Sequence, residues 1–211
     1  MINELVKRYP ALAKCEEDIT NAKAALVECF QKGGKLLLCG NGGSCADCDH
    51  IVGELMKGFR SKRPLSEEKK AQMRAAYGNI DEGVLAKLQN ALPAISLPSF
   101  TALNMAFAND VAPELVYAQG VFALGGQQDV LLAISTSGNS RNVVEAAKVA
   151  KAVGVKVIAL TGGSGGILGT LADICICVPE TETYKVQELH LPVYHCLCEE
   201  IEACFFEEGL L

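Results

Sequence analysis

Five short apolar runs constrain this chain more than any other feature. They are Lys35 to Cys39, Ala94 to Leu97, Val130 to Ser135, Val155 to Leu160 and Ile174 to Val178, each bounded by glycine, proline or serine. Continuous apolar runs of this length read as strands buried on both faces. Helical patterns lie between them, over residues 45 to 58, parts of 98 to 124, 140 to 153 and 166 to 172. A last helix runs from about 185 to 207, with Leu189, Val193, Leu197 and Ile201 at four-residue steps. Strands that alternate with helices form a parallel sheet with right-handed crossovers. The expected class is therefore α/β, a parallel sheet of about five strands flanked by helices.

The 211 residues suit one domain over the whole of 1–211. Residues 1–34 form an N-terminal helical segment. Pro10 suits a helix first turn, and Leu12, Ile19 and Leu26 recur with Cys15, Ala22 and Cys29 as one apolar stripe ending at Gly33-Gly34. That stripe is free to pack on the domain or on another subunit. Residues 61–92 are charged and helix-forming, with Ser66-Glu67-Glu68 as a helix start, and read as a helical insertion.

Net charge excludes some functions. At −6 the chain lacks the lysine and arginine footprint of a nucleic-acid surface, although a small anion needs only a local site. No apolar run reaches the roughly 18 residues of a membrane span. Met1-Ile2-Asn3-Glu4 is not a charged-then-apolar signal, so the cytoplasm is the expected location. The ten cysteines fall largely in apolar runs, as Cys39, Cys175 and Cys177 do, and read as reduced, buried thiols.

Two strand-to-helix loops are candidate anion sites, because open parallel sheets bind ligands beyond the carboxyl ends of their strands. The first is Cys39-Gly40-Asn41-Gly42-Gly43-Ser44, whose glycines permit close backbone approach and whose following helix aims N–H groups at the same space. A tight turn capped by Ser44 is the alternative. The second, Ser135-Thr136-Ser137-Gly138-Asn139-Ser140, carries four hydroxyls in six residues, far more than a helix cap requires. It lacks the Gly-Lys-Ser/Thr ending of a P-loop. A third stretch, Gly162 to Gly166, reads as a flexible turn.

The helix after the first loop places Asp47, His50 and Glu54 on one face. A histidine and a glutamate one turn apart suit a metal or an acid–base pair, and a solvated charge stripe is the alternative. Cys45 and Cys48 lack a second cysteine pair, which argues against a structural zinc site. The other two histidines, His190 and His195, fall in Gln187 to His195, where Gln187 and His195 are two helical turns apart and Pro192 should loosen the helix.

Together these segments resemble the SIS (sugar isomerase) domain, a flavodoxin-like sheet, and within it the phosphoheptose isomerase group. The matching pieces are Cys-Gly-Asn-Gly-Gly-Ser at 39 to 44, His50 with Glu54, Asn109-Asp110, the serine loop at 135 to 140, and Gln187-Glu188-x-His190 with His195. The resemblance implies an aldose–ketose isomerase acting on a sugar phosphate. It implies sugar contacts from Asn41, Gly42, Gly43, Ser44, Asn109, Asp110 and Gln187, and phosphate contacts from Ser135, Thr136, Ser137 and Ser140. It implies zinc on His50, Glu54, Gln187 and His195, with Glu54 and His195 as the acid–base pair. It also implies a homotetramer with sites between subunits. The alternative is a non-catalytic sugar-phosphate-binding SIS protein of the regulatory or DnaA-binding type. Two departures stand out. The 61–92 insertion is longer than the group shows, and Tyr184-Lys185 stands where the heptose enzymes carry an aspartate before the glutamine.

Overall fold

The computed structural model describes residues 1–206. Five strands, β1 (Leu36–Cys39), β2 (Ala94–Ser96), β3 (Val130–Ser135), β4 (Lys156–Gly162) and β5 (Ile174–Val178), form one all-parallel sheet in the order β2-β1-β3-β4-β5. Leu37 pairs with Ile95 on one side and Leu131 on the other, so β1 is an inner strand and its run is fully buried. Side chains alternate across the sheet. Leu36, Leu38, Leu132 and Ile134 enter one core layer, while Leu37, Cys39, Leu131 and Ala133 enter the other.

Helices cover both layers. On the first side lie α1 (Ile2–Arg8), α2 (Glu16–Gln31), α3 (Gly43–Met56) and α10 (Thr183–Phe206). On the other lie α6 (Thr101–Asp110), α7 (Val116–Leu124), α8 (Arg141–Ala152) and α9 (Gly166–Leu171). The N-terminal stripe is spent on the chain's own core: Leu12, Ile19 and Ala22 are fully buried. Proline at residue 10 opens a 3-10 turn through Cys15, so the stripe is carried by that turn and α2 rather than by one helix. The last helix passes through Pro192 unbroken to Phe206, and its expected end at 207 lies outside the described residues.

The charged segment makes α4 (Glu67–Ala76) and α5 (Glu82–Lys87). Ser66 caps α4 by accepting from the Lys69 amide, and Asp81 caps α5. A bridge between Pro64 and Gln89 closes the neck of this excursion, and Leu65, Leu85 and Leu92 bury its base. All ten cysteines are free thiols. Burial pushes Cys39 and Cys198 up to about 12, so both stay protonated.

Candidate functional site

The strand order reverses between β1 and β3, because the chain leaves β1 toward β2 on one side and returns to β3 on the other. Crossovers diverge at such a point and leave a crevice beyond the strand ends. Both expected anion loops open there. They line a 330 Å³ cleft with Asn41, Gly42, Gly43, Ser44, Ser135, Thr136, Ser140, Thr183 and Gln187.

The first loop turns at Gly42, whose φ of 56° suits glycine, and α3 starts at Gly43. Ser44 therefore sits inside the first turn rather than at the cap. A Cβ on Gly43 would stand 2.4 Å from Gln187 Nε2, so this glycine lets α10 approach the loop. Among the described residues no side chain caps α3 or α8. Ser140 holds the α8 cap position, yet its hydroxyl takes a hydrogen bond from Ser135 at 3.0 Å. Two helix N-termini without side-chain caps, set beside three hydroxyls of the serine loop, suit a phosphate-sized anion without lysine.

The two loops are pinned together. Asn41 and Asn142 exchange reciprocal amide hydrogen bonds of 2.8 and 2.9 Å. Tyr117 donates to Gly40 O at 2.9 Å and to Asn41 Oδ1 at 3.1 Å. Neither Tyr117 nor Asn142 carries a sequence signal, since both sit in ordinary helical patterns. The Gly162–Gly166 stretch, expected as a flexible turn, packs under the serine loop instead. Leu168 donates to Gly138 O at 2.9 Å and Ile167 to Asn139 Oδ1 at 3.0 Å. Ser137 is the exception among the four hydroxyls: it is exposed, accepts from the Asn139 amide at 3.2 Å, and does not line the cleft. Asn109 and Asp110 hydrogen-bond each other at the exposed end of α6 and also stand outside the cleft.

The acid–base candidates gather farther along the same two helices. α3 and α10 lie side by side and run in the same direction, with Gly43 against Gln187 and His50 against Tyr194 and His195. His50 Nε2 is 3.2 Å from Glu54 Oε1, and its Nδ1 is 3.0 Å from Tyr194 Oη. The His195 ring stands edge-on to His50 at 4.9 Å between centroids and stacks on Phe59 at 5.7 Å. Lys57 approaches Glu54 from the other side at 3.4 Å. A 390 Å³ cavity opens beside His195, lined by Arg8, Tyr9, Arg60 and Glu199. Burial and the neighbouring His50 lower the pKa of His195, with Glu54 opposing them, so the imidazole is neutral at pH 7.

Of the four residues expected to converge, His50, Glu54 and His195 therefore meet, and Gln187 does not. It stands two helical turns away, against the glycine loop. The parallel alignment of α3 and α10 is the reason, because positions eight apart on α10 must meet different turns of α3.

His190, one turn before Tyr194, faces inward and is fully buried, and neither ring nitrogen completes a hydrogen bond. Burial lowers its pKa from 6.5 to about 4. The unfolded chain therefore takes up this proton first as the pH falls. The resulting penalty is absent above pH 6.5, grows down to about pH 4, and levels off below. Its full size is about 3 kcal/mol. Urea unfolding at pH 7 and pH 5 should reveal this loss, and His190→Leu should shrink it.

Comparison with known proteins places this arrangement. The SIS domain model matches residues 103–197, and a second SIS domain model matches residues 2–84. A phosphoheptose isomerase from Roseiflexus is 40% identical over 183 residues, covering 87% of this chain and 80% of that one. One from Thiobacillus denitrificans is 38% identical over 95% of this chain and 94% of its own. The solved phosphoheptose isomerase of Neisseria gonorrhoeae superposes with a TM-score of 0.73 at 31% identity, covering 95% of this chain and 96% of that one. The chain belongs to the SIS-domain family and, within it, to the phosphoheptose isomerase group.

Proposed function

We propose that this protein is an aldose–ketose isomerase that acts on a heptose phosphate of the sedoheptulose 7-phosphate type through an enediol. One observation carries the reading: α3 and α10 run side by side from the hydroxyl-lined cleft, at Gly43 and Gln187, to the acid–base cluster, where His50 and Tyr194 stand seven residues further on and Glu54 reaches back to His50. Seven residues of helix rise about 10 Å. An extended seven-carbon chain with a terminal phosphate spans roughly 10 Å from C1 to phosphorus, and a five-carbon chain roughly 7 Å. The phosphate rests on Ser135, Thr136, Ser140 and the α3 and α8 amides, and Gln187 and Asn41 contact the sugar. Binding at the far end fixes the reacting carbons.

Glu54, flanked by His50 and Lys57, is the carboxylate that takes the proton from the carbon next to the carbonyl. The electrons move into a C1–C2 double bond, and the carbonyl oxygen receives a proton from the His195 side. Glu54 then returns its proton to the neighbouring carbon while the other enediol hydroxyl gives its proton to the His195 side, which forms the new carbonyl and restores both groups. A purely regulatory SIS protein, or one of the DnaA-binding type, has no use for this pair.

Two imidazoles and a carboxylate are ligands that zinc accepts. In this chain Glu54 and Tyr194 engage His50, Gln187 stands apart, and among the described residues no group of three His, Cys, Asp or Glu side chains is set to hold a metal. No step above passes through a metal. Metal analysis of the purified oligomer tests whether zinc joins the set there.

A homotetramer with sites shared between protomers fits the outer surface. α6 has an apolar sequence and no buried residue, and Met105, Val111 and Phe122 are each about two-thirds exposed. Asn109 and Asp110 end that same helix, where a second protomer would bring them to a site. Sedimentation equilibrium should give four times the 22.4 kDa chain mass. The double variant Met105→Asp with Phe122→Asp should dissociate it, whereas a wild-type monomer at micromolar concentration contradicts the assembly.

A cytoplasmic location agrees with the reduced cysteines, and among the described residues no helix is long and apolar enough to cross a membrane. The function is tested by turnover of five-, six- and seven-carbon ketose phosphates, with the seven-carbon substrate expected to lead by tenfold or more in kcat/KM, an order-of-magnitude expectation.

A further inference from the structure

Arg63 belongs to the charged segment after α3, where a solvated side chain is the ordinary expectation. Its side chain is instead fully buried and paired with Glu202 of α10, itself 1% exposed, through Nε at 2.7 Å. The rest of the guanidinium is used as well. Nη1 donates to Leu55 O at 2.7 Å and Nη2 to Glu54 O at 3.0 Å, with the Phe206 ring 4.7 Å away. These are carbonyls of the last turn of α3, which no later helical amide reaches, and a cation there also suits the helix dipole.

Glu202 is used as fully. It accepts from the backbone amides of Phe59 at 2.8 Å, Arg60 at 2.7 Å and Ser61 at 3.1 Å. This grip turns the chain back after α3 and sets the Phe59 ring against His195. Arg63 itself has a φ of 46°, a left-handed conformation that few residues other than glycine adopt. Such a conformation persists where surrounding contacts over-determine it, as these do.

We propose that Arg63 and Glu202 are positioning residues for the acid–base pair. Arg63 fixes the backbone of Glu54, and Glu202 fixes the loop that holds Phe59 on the His195 ring. This rests on the reading of Glu54 and His195 as that pair. The phosphate cleft lies at the opposite end of α3, so the pair bears on turnover and not on phosphate binding. A displacement of about 1 Å at reacting groups costs on the order of a hundredfold in rate.

Removing one partner would strand a buried charge and threaten the fold, whereas replacing both with apolar residues of similar volume is often neutral. The test therefore uses Arg63→Met with Glu202→Leu in the full chain, beside Arg63→Lys, which keeps the charge but loses the fork. Both should fold by circular dichroism and bind inorganic phosphate as the wild type does. In the double variant kcat should fall by roughly tenfold to a hundredfold with little change in KM. Arg63→Lys should fall between it and the wild type.

A second readout does not need activity. The chain has only three histidines, so their ring signals are separable by NMR. The His195 ring protons should lose the shift imposed by Phe59 in the double variant, while those of buried His190 stay in place. If the folded double variant keeps wild-type His195 signals, the positioning role is overturned, whatever the enzyme does. If the His195 signals move but the wild type turns over no sugar phosphate, the isomerase reading fails and the structural clamp stands. If the double variant does not fold, Arg63→Lys decides for Arg63: kcat should fall with KM little changed, and an unchanged kcat overturns its role.

Discussion

Glu54→Gln should retain sugar-phosphate affinity within about twofold and lose turnover by roughly a hundredfold to ten-thousandfold, the usual contribution of a positioned acid or base. Glutamine keeps the shape of the side chain and its contact with His50, 3.2 Å away in the wild type. It cannot accept the substrate proton. The proposed phosphate cleft is about three helical turns away along α3, so binding should not notice the change. Calorimetry with a heptose phosphate and steady-state kinetics on the same preparation separate the two effects. A variant that lost affinity and turnover together would make Glu54 a binding group, and one that kept turnover would remove it from the chemistry.

The second large effect is expected at Gly138, in the middle of the serine loop. Its φ is 66°, and a Cβ there would stand 1.8 Å from the backbone oxygen of Gly165. No side chain can swing aside to relieve that overlap, because both partners are backbone. The Gly165 loop is itself held by the Leu168 to Gly138 and Ile167 to Asn139 hydrogen bonds. Gly138→Ala should therefore cost roughly 3 kcal/mol or more. For a chain of this size that lowers Tm by about 6 to 12 °C. Any folded remainder should bind phosphate weakly. Gly43→Ala is the contrasting case. Its clash is with the end of the Gln187 side chain, which can rotate, so stability should change much less.

The sheet was readable because its strands are buried on both faces and so appear as unbroken apolar runs. Val130–Ser135 and Ile174–Val178 have the expected ends. β2 stops one residue early because Pro98 cannot continue the ladder and a 3-10 turn begins at Leu97. The cleft was readable in part, since glycines and hydroxyls after a strand report backbone shape locally. Ser137 shows the limit of that signal, because composition does not say which hydroxyl a loop turns outward.

What escaped the sequence is non-local. The parallel alignment of α3 with α10, which brings His195 to His50 and leaves Gln187 at Gly43, depends on how two distant helices pack. Tyr194 and Phe59 look like ordinary core aromatics until that packing sets them against His50 and His195. Arg63 misleads more strongly, because a charged stretch reads as solvated surface and its burial depends on Glu202, 139 residues away. The glycines at 162 to 166 look like a turn because their partner, the serine loop, lies 28 residues earlier.

On the proposed reading, one chain supplies both a phosphate cleft and, two to three helical turns beyond it, a proton-transferring pair. Incubating the wild-type protein with sedoheptulose 7-phosphate in deuterium oxide, and following C1 and C2 by NMR, tests this most directly. The aldose heptose phosphate should appear with deuterium at C2, and shorter ketose phosphates should react at least several-fold more slowly. Tight binding with neither aldose nor exchange at carbon would contradict it, and would leave a sugar-phosphate-binding protein without the isomerase chemistry.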